Sequence, residues 1–253
     1  MSKKCAVILA GGEGKRMKSD IPKPMNEVLG KPMLRWVIDA VREAGVEDIC
    51  VVTGYKKEIT QEYLSALPFP VATAYQSERL GTGHAVMMAR AFLEEHGGDV
   101  VILCGDAPFM DSATIRDSFI QHDEQDCSAT VISAMLDDPA GYGRIVRHAD
   151  GTLDRIVEHK EADDRIRAIR EVNSGGYWFD TADLLSVLDS ITANNSAQEY
   201  YLPDALTLLL ERGRKAGAFT AASADTVLGA NDPQQLEELN RIARIKLGMR
   251  NEK

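Results

Sequence analysis

No apolar run in these 253 residues approaches the roughly 18 needed to cross a bilayer. The run that follows Met1-Ser2-Lys3-Lys4 stops after Ala10 at Gly11-Gly12, too early for a signal-peptide core and without a small-residue cleavage site. No membrane partner is expected, and nothing marks the chain for export. Cysteine is scarce: Cys5, Cys50, Cys104 and Cys127 form no CxxC pair and no metal-ligand spacing with histidine. That excludes a disulfide scaffold and a zinc site, and the expectation is buried, reduced thiols in a cytoplasmic protein. Positive charge is short, with 29 Lys and Arg against 39 Asp and Glu, which argues against a nucleic-acid partner. With 20 glycines and 9 prolines the chain is neither collagen-like nor low-complexity. Also missing are a serine or cysteine nucleophile motif and any histidine placed in sequence beside an orienting carboxylate.

What is present is a 44% hydrophobic chain, enough for a substantial core. Its basic residues are unevenly spread. Residues 1–35 hold Lys3, Lys4, Lys15, Arg16, Lys18, Lys23, Lys31 and Arg35 against only Glu13, Asp20 and Glu27, in a chain of net charge −10. One small basic site in an acidic protein suits a compact polyanion such as a nucleotide.

Short β-rich runs alternate with longer amphipathic stretches, the pattern of an α/β fold. Residues 5–10 (CAVILA) are uniformly apolar, as a parallel strand covered on both faces requires. Further strands are expected at 48–53, 71–75, 99–104 and 128–135, and helices at 33–44, 58–67, 82–95 and 112–122. From about residue 140 the texture changes to hairpin-like segments at 143–147, 153–158 and 172–179, read as a β-rich insertion on the sheet at about 140–180. Helices return at 181–188 and 202–212. The expected organisation is a domain over 1–230, built as a Rossmann-like mixed, mostly parallel sheet flanked by helices, followed by a helical arm over 231–253. In that arm Asp232 is placed as N-cap and Pro233 as first helical residue, with Leu236, Leu239, Ile242 and Ala243 on one face.

Three groups of residues carry chemistry. Leu9-Ala10-Gly11-Gly12-Glu13-Gly14-Lys15-Arg16-Met17, followed by Ile21-Pro22-Lys23-Pro24-Met25, is a strand emptying into three glycines and then cations, so that bare backbone amides and positive side chains can meet phosphate oxygens. It is not a Walker A loop, and Met17 stands where the third glycine of a dinucleotide fingerprint belongs. Cys104-Gly105-Asp106 puts a carboxylate just beyond a buried strand, a position suited to Mg²⁺, which takes one or two protein oxygens and completes its shell with phosphate and water. Gln76 with Leu80-Gly81-Thr82-Gly83-His84 offers an amide and bare backbone to a nucleobase edge, with His84 read only as a helix-start residue. In the insertion, Gly141-Tyr142-Gly143-Arg144, Glu158 with Lys160, and Asn173-Ser174-Gly175 could hydrogen-bond a sugar. Each of these, taken alone, also reads as a turn or surface residue.

Together the blocks LAGGEGKRM…IPKPM, YQSERLGTGHA, GDAP, GYGRIVR, IVEHKEAD, EVNSG, NNSAQEYYLPD and GANDPQQL resemble the sugar-1-phosphate nucleotidyltransferases, and among them the N-acetylglucosamine-1-phosphate uridyltransferase half of a bifunctional bacterial enzyme. The resemblance spans residues 5 to about 240. It implies that Leu9, Ala10, Gly11, Gly12, Gln76, Gly81, Thr82 and Gly105 hold the uridine nucleotide and that Arg16 and Lys23 face its phosphates as the catalytic cations. It further implies that Asp106 and Asn231 coordinate Mg²⁺, and that Gly143, Glu158, Asn173 and Tyr200 bind the sugar phosphate. Asn231 comes from the resemblance alone, since by itself it reads as a helix cap beside Asp232. Lys15 stands where a threonine is common in the family, Cys104 where a tyrosine is common, and NNSAQEYY is one residue shorter than the usual block. The implied reaction is transfer of UMP from UTP to N-acetylglucosamine-1-phosphate, releasing pyrophosphate. Because the attacking phosphate is already anionic, it needs no general base. Alternative readings are a nucleotidyltransferase for another base or sugar and a non-catalytic nucleotide-sensing subunit. The family's acetylating β-helix has no counterpart in these residues, so a monomer without acetyl-transfer activity is expected.

Overall fold

The structure, a computed structural model, describes residues 3–249. Strand β1 (Lys4–Ala10) is followed by 3₁₀ turns at Lys15–Met17 and Lys23–Met25, a small hairpin of β2 (Glu27–Val28) and β3 (Lys31–Pro32), and helix α1 (Met33–Glu43). Then come β4 (Asp48–Thr53), α2 (Lys57–Ser65), β5 (Ala72–Tyr75), α3 (Thr82–Met88), α4 (Arg90–His96), β6 (Asp99–Cys104), α5 (Ser112–Glu124) and β7 (Ala129–Met135). The second half holds β8 (Arg144–Arg147), β9 (Leu153–Val157), α6 (Asp164–Arg167), β10 (Glu171–Asp180), α7 (Thr181–Leu188), α8 (Pro203–Glu211), β11 (Ala216–Thr220), a 3₁₀ turn at Ala224–Val227, and α9 (Pro233–Lys246).

β1 is apolar on both faces because both are covered. Cys5 and Val7 enter a core shared with α3, α4, α7 and α8, whereas Ala6, Ile8 and Ala10 enter one shared with α1, α2 and α5. The sheet order is β11-β7-β10-β6-β1-β4-β5, and every pairing along it is parallel except those of β10, which runs antiparallel to both β6 and β7. This is the expected mixed, mostly parallel sheet between helical layers. α1 follows from its sequence: Met33, Leu34, Val37, Ile38 and Val41 fall on one buried face, and the chain leaves it through Gly45 at φ 83°.

The structure departs from the sequence expectations at three places. Residues 82–95 are not one helix, since Ala89 (ψ 5°) leaves helical geometry; both Ala89 and Leu93 then reach the same core while Arg90 bonds Asp189 at 2.6 Å. Periodicity alone does not reveal such a bend. The segment expected as the last hairpin of the insertion is β10, a strand of the central sheet; β8 joins it through Val172–Arg144 pairing and carries β9 on its far side. β11 went unrecognised because AGAFT has neither alternation nor β-branched residues before its last position, and pairing with β7 alone makes it a strand.

Within the segment read as a helical arm, Pro233–Lys246 form helix α9. Asp232 accepts a 2.8 Å bond from the Gln235 amide, and Pro233 begins the helix. Leu239 and Ala243 are buried, and Leu236 and Ile242 pack beside them, against Met17, Val28, Met33, Phe109 and Ala230. The helix ends at Lys246, and residues 250–253 of the arm lie outside the described residues. No helix of the described residues is long and apolar enough to cross a membrane.

Two features of the core are open to test. Trp178 is fully buried, donates to Ser118 Oγ at 3.0 Å and packs on Phe119 at 4.8 Å between ring centroids. Trp178→Ala is expected to destabilise the fold by about 3–5 kcal/mol, read as a lowered urea midpoint. Glu171 ties four strands together, accepting from Arg147 Nε at 2.8 Å and Nη2 at 2.7 Å and from Ser133 at 2.7 Å and Thr220 at 3.2 Å. Burial opposes its ionisation, but these donors hold its carboxyl below the ordinary 4.5. Its contribution to stability is therefore full above that value and lost as pH falls through the lowered one. Urea melts at acid pH should lose stability more steeply for the wild type than for Glu171→Gln, and equal slopes would remove this carboxylate from the acid transition.

Candidate active site

The mutually parallel strands β1, β4, β5 and β6 end at one edge of the sheet. The register pairs Ala10 with Thr53, Thr53 with Tyr75 and Leu9 with Cys104. The loops that leave these strands therefore converge outside their carboxyl ends, where open α/β sheets bind ligands. They enclose a cleft of about 310 Å³ lined by Leu9, Gly11, Gly12, Lys23, Gln76, Gly81, Thr82 and Asp106, with Pro24, Arg79, Ala85, Cys104 and Glu199. Eight sequence-predicted residues thus share one wall. Ala10 and Gly105 lie just beneath it: both are buried, and the Gly105 amide donates to Leu9 O at 2.9 Å. Arg16 is not in this wall. It sits exposed on the Lys15–Met17 turn, which the buried Met17 anchors to the cluster under α9.

The glycines answer to close approach. A Cβ on Gly11 would meet Gln76 Oε1 at 2.9 Å, and one on Gly54 would stand 2.6 Å from Gly11 O, so two strand-end loops touch backbone to backbone. Gly54 was not singled out from sequence, although a glycine directly after a buried strand is the same signal that marks Gly11.

Lys23 is held by the local backbone. Its amide donates to Gly12 O at 3.3 Å, its carbonyl accepts from Asn26 Nδ2 at 2.9 Å, and the flanking Pro22 and Pro24 are buried. Its ammonium contacts the Asp106 carboxylate and donates to Asn231 Oδ1 at 2.7 Å. Asn231 is itself oriented by Gln235, whose Oε1 accepts from its amide at 2.7 Å and from its Nδ2 at 3.1 Å. A cationic group therefore already lies between a carboxylate and an amide oxygen brought from 125 residues apart in sequence. These hard oxygen donors, of which Asp106 lines the cleft, fit Mg²⁺ better than a softer metal. Among the described residues no group of three or more His, Cys, Asp or Glu could hold a metal.

On the far side, Asn173 N donates to Gly143 O at 2.9 Å, and a Cβ on Gly143 would lie 3.1 Å from Glu158 Oε1, so these three predicted residues form one patch. A bulge creates it: the β10–β7 register shifts between Asn173 and Gly176, and Gly175 takes φ 77°. Burial, then Glu161 and Asp204, push the Glu158 carboxyl above its ordinary value. Tyr200 meets the Leu80–Gly83 segment through its backbone, with N donating to Leu80 O and O accepting from Gly83 N, both at 2.7 Å. Cys104 joins the two sides, its thiol 3.7 Å from Gly175 O. Burial, with Asp106 and against Lys23, pushes that thiol up to about 12, which keeps it protonated and unfit as a nucleophile.

Sequence reasoning missed Arg79, which reaches Glu13 at 2.9 Å across the cleft mouth, and Glu199. Neither carries a local signal. It also left His84 without a role, yet the ring's Nδ1 stands 3.1 Å from Gln76 Nε2. His122, expected to be isolated, is buried with Nδ1 at 2.9 Å from Thr130 Oγ1 and Nε2 at 3.4 Å from Asp99.

Residues 5–226 match the Nucleotidyl transferase family. The Bifunctional protein GlmU of Acetivibrio thermocellus is 45% identical over 242 residues, 96% of this chain and 52% of its own length. That of Clostridium beijerinckii is 44% identical over 246 residues, 97% of this chain and 53% of its own length. The chain thus spans about half the length of the curated relatives it matches. A crystal structure of UDP-glucose pyrophosphorylase complexed with UDP-glucose superposes with a TM-score of 0.79 at 19% identity, covering 97% of this chain and 100% of that one. With its mostly parallel sheet, its strand-end cleft and a family match over most of its length, the chain belongs to the nucleotidyl transferase family and is a nucleotidyltransferase.

Proposed function

We propose that this chain transfers UMP from UTP to N-acetylglucosamine-1-phosphate, forming UDP-N-acetylglucosamine and pyrophosphate. One observation carries the reading: Lys23, Asp106 and Asn231 meet at the mouth of the cleft that also holds the bare backbone of Gly11 and Gly12 and the amide of Gln76. The identity to bifunctional relatives across 96% of the chain supports the choice of nucleotide and sugar. A nucleotide-sensing subunit would have no need of this paired cation site.

In this reading the nucleobase lies against Gln76 and Gly81, and the phosphates lie along Gly11, Gly12 and Lys23 with Arg16 reaching them from the Lys15–Met17 turn. The sugar takes hydrogen bonds from the Gly143, Glu158 and Asn173 patch, with Tyr200 at its margin. A phosphate oxygen of the sugar phosphate attacks the α-phosphorus of UTP in line, forming one P–O bond while the bond to the leaving pyrophosphate breaks. No side chain removes a proton, because the nucleophile is already an anion. The protein contributes orientation and charge: Lys23, fixed between its prolines, offsets the charge that accumulates on the α-phosphate and leaving group. Asp106 and Asn231 would hold Mg²⁺, which when bound neutralises charge on phosphate oxygens. The desolvated Glu158 carboxylate is a strong acceptor for sugar hydroxyls.

A pyrophosphate-release screen of four nucleoside triphosphates against several sugar-1-phosphates tests the substrates directly. UTP with N-acetylglucosamine-1-phosphate should be turned over best, and preference for another pair would replace this reading. Lys23→Ala is expected to lower kcat by about 10²–10³ with wild-type circular dichroism. An unchanged kcat would take Lys23 out of the reaction. Asp106→Ala should abolish turnover without unfolding the chain, and the wild type should stop in excess chelator, so full activity under chelation would refute the metal assignment.

A further inference from the structure

Gln76 is 5% exposed and stands at the floor of the nucleotide cleft, where its backbone amide donates to Thr53 O at 2.8 Å. Its side-chain amide has a definite polarity. Nε2 lies 3.0 Å from Gly81 O, and a backbone carbonyl can only accept, so the nitrogen must face that way. The second N–H of Nε2 points at His84 Nδ1, 3.1 Å away. With both N–H groups engaged, Oε1 is left over Gly11, turned to the cleft, and no donor among the described residues reaches it. His84 can complete this arrangement only with Nδ1 unprotonated and its proton on Nε2, a tautomer assigned from the partners. Were His84 to present a donor, two donors would face each other and the amide would be pulled toward the opposite orientation.

The direction of that amide determines which base edge the cleft can read. A uracil ring presents an N–H between two carbonyls, whereas a cytosine ring presents a lone pair at the same atom. An acceptor oxygen bonds the first and repels the second. Resting on the uridyl reading of this cleft, we propose that His84 is the positioning residue that fixes the Gln76 amide with its oxygen toward the base, so that the site selects pyrimidines carrying a ring N–H. His84 itself touches no reacting atom. Its ring lies behind Gln76, 6.2 Å from the Tyr200 ring, in the first turn of α3.

The test compares kcat/KM for UTP and for CTP, with the same sugar phosphate, in three proteins. His84→Ala removes the acceptor and leaves Gly81 O alone to orient the amide. The UTP:CTP ratio should fall about tenfold, roughly the worth of one hydrogen bond. The loss should appear as a higher KM for UTP with kcat unchanged, since base recognition is equal in the ground and transition states. His84→Asn returns an acceptor oxygen near the position of Nδ1 and should restore the ratio. Should the alanine variant not fold, His84→Leu, which fills the volume without an acceptor, carries the same comparison. An unchanged ratio in the acceptor-free variant overturns the proposal, as does an equal fall in the alanine and asparagine variants, which would mark a packing role. A wild type that prefers CTP defeats the uridyl reading before His84 is varied, so the two failures are distinguishable.

Discussion

The rest of the molecule is organised around β1, hydrogen-bonded to β4 on one side and β6 on the other and buried on both faces. A strand in that position has no freedom to slip, because a shift of one residue would exchange the two cores. Its last residue, Ala10, therefore marks a defined edge, and the glycines after it begin where the helical layers no longer cover the sheet. The approach of Gly11 to Gly54 and to Gln76 follows from this register. Larger residues there would force the strand ends apart and close the space a ligand needs.

Charge is distributed to match. The chain is acidic overall, yet the cleft mouth holds Lys23 and Arg79 close to Asp106 and Glu13, so cations and carboxylates offset one another where a polyphosphate would enter. The patch of Gly143, Glu158 and Asn173 is different: Glu158 is poorly solvated and lies in the field of Glu161 and Asp204. It suits neutral hydroxyls better than further negative charge. Cys104, protonated and small, lines the cleft and reaches Gly175 O in the bulge of β10.

α9 contributes more than a covering for apolar surface. By packing on Met17, Val28 and Met33 it braces the far side of the glycine loop, and Asn240 Oδ1 accepts from Leu29 N at 2.8 Å. The same docking sets Asn231, one residue before the N-cap, beside Lys23. The helix thus stabilises the loop and completes the oxygen pair with one set of contacts.

Much of this was legible in the sequence, since local rules govern it. Uninterrupted apolar runs specify strands buried on both faces, the spacing in residues 33–41 specifies a helix, and Asp232-Pro233 specifies where α9 begins. Glycines and a lysine after β1, and a carboxylate after β6, mark the lining of the cleft because strand ends in a parallel sheet share an edge. The remainder depended on contacts between distant segments. The insertion of β10 antiparallel between β6 and β7, the strand character of AGAFT, and the encounter of Lys23 with Asn231 have no local signature. His84 shows the limit most clearly: its partner Gln76 is eight residues away in sequence, but only the turn through Gly81, with φ 108° and its carbonyl directed at Nε2, brings the two side chains together and decides which atom of Gln76 faces the cleft.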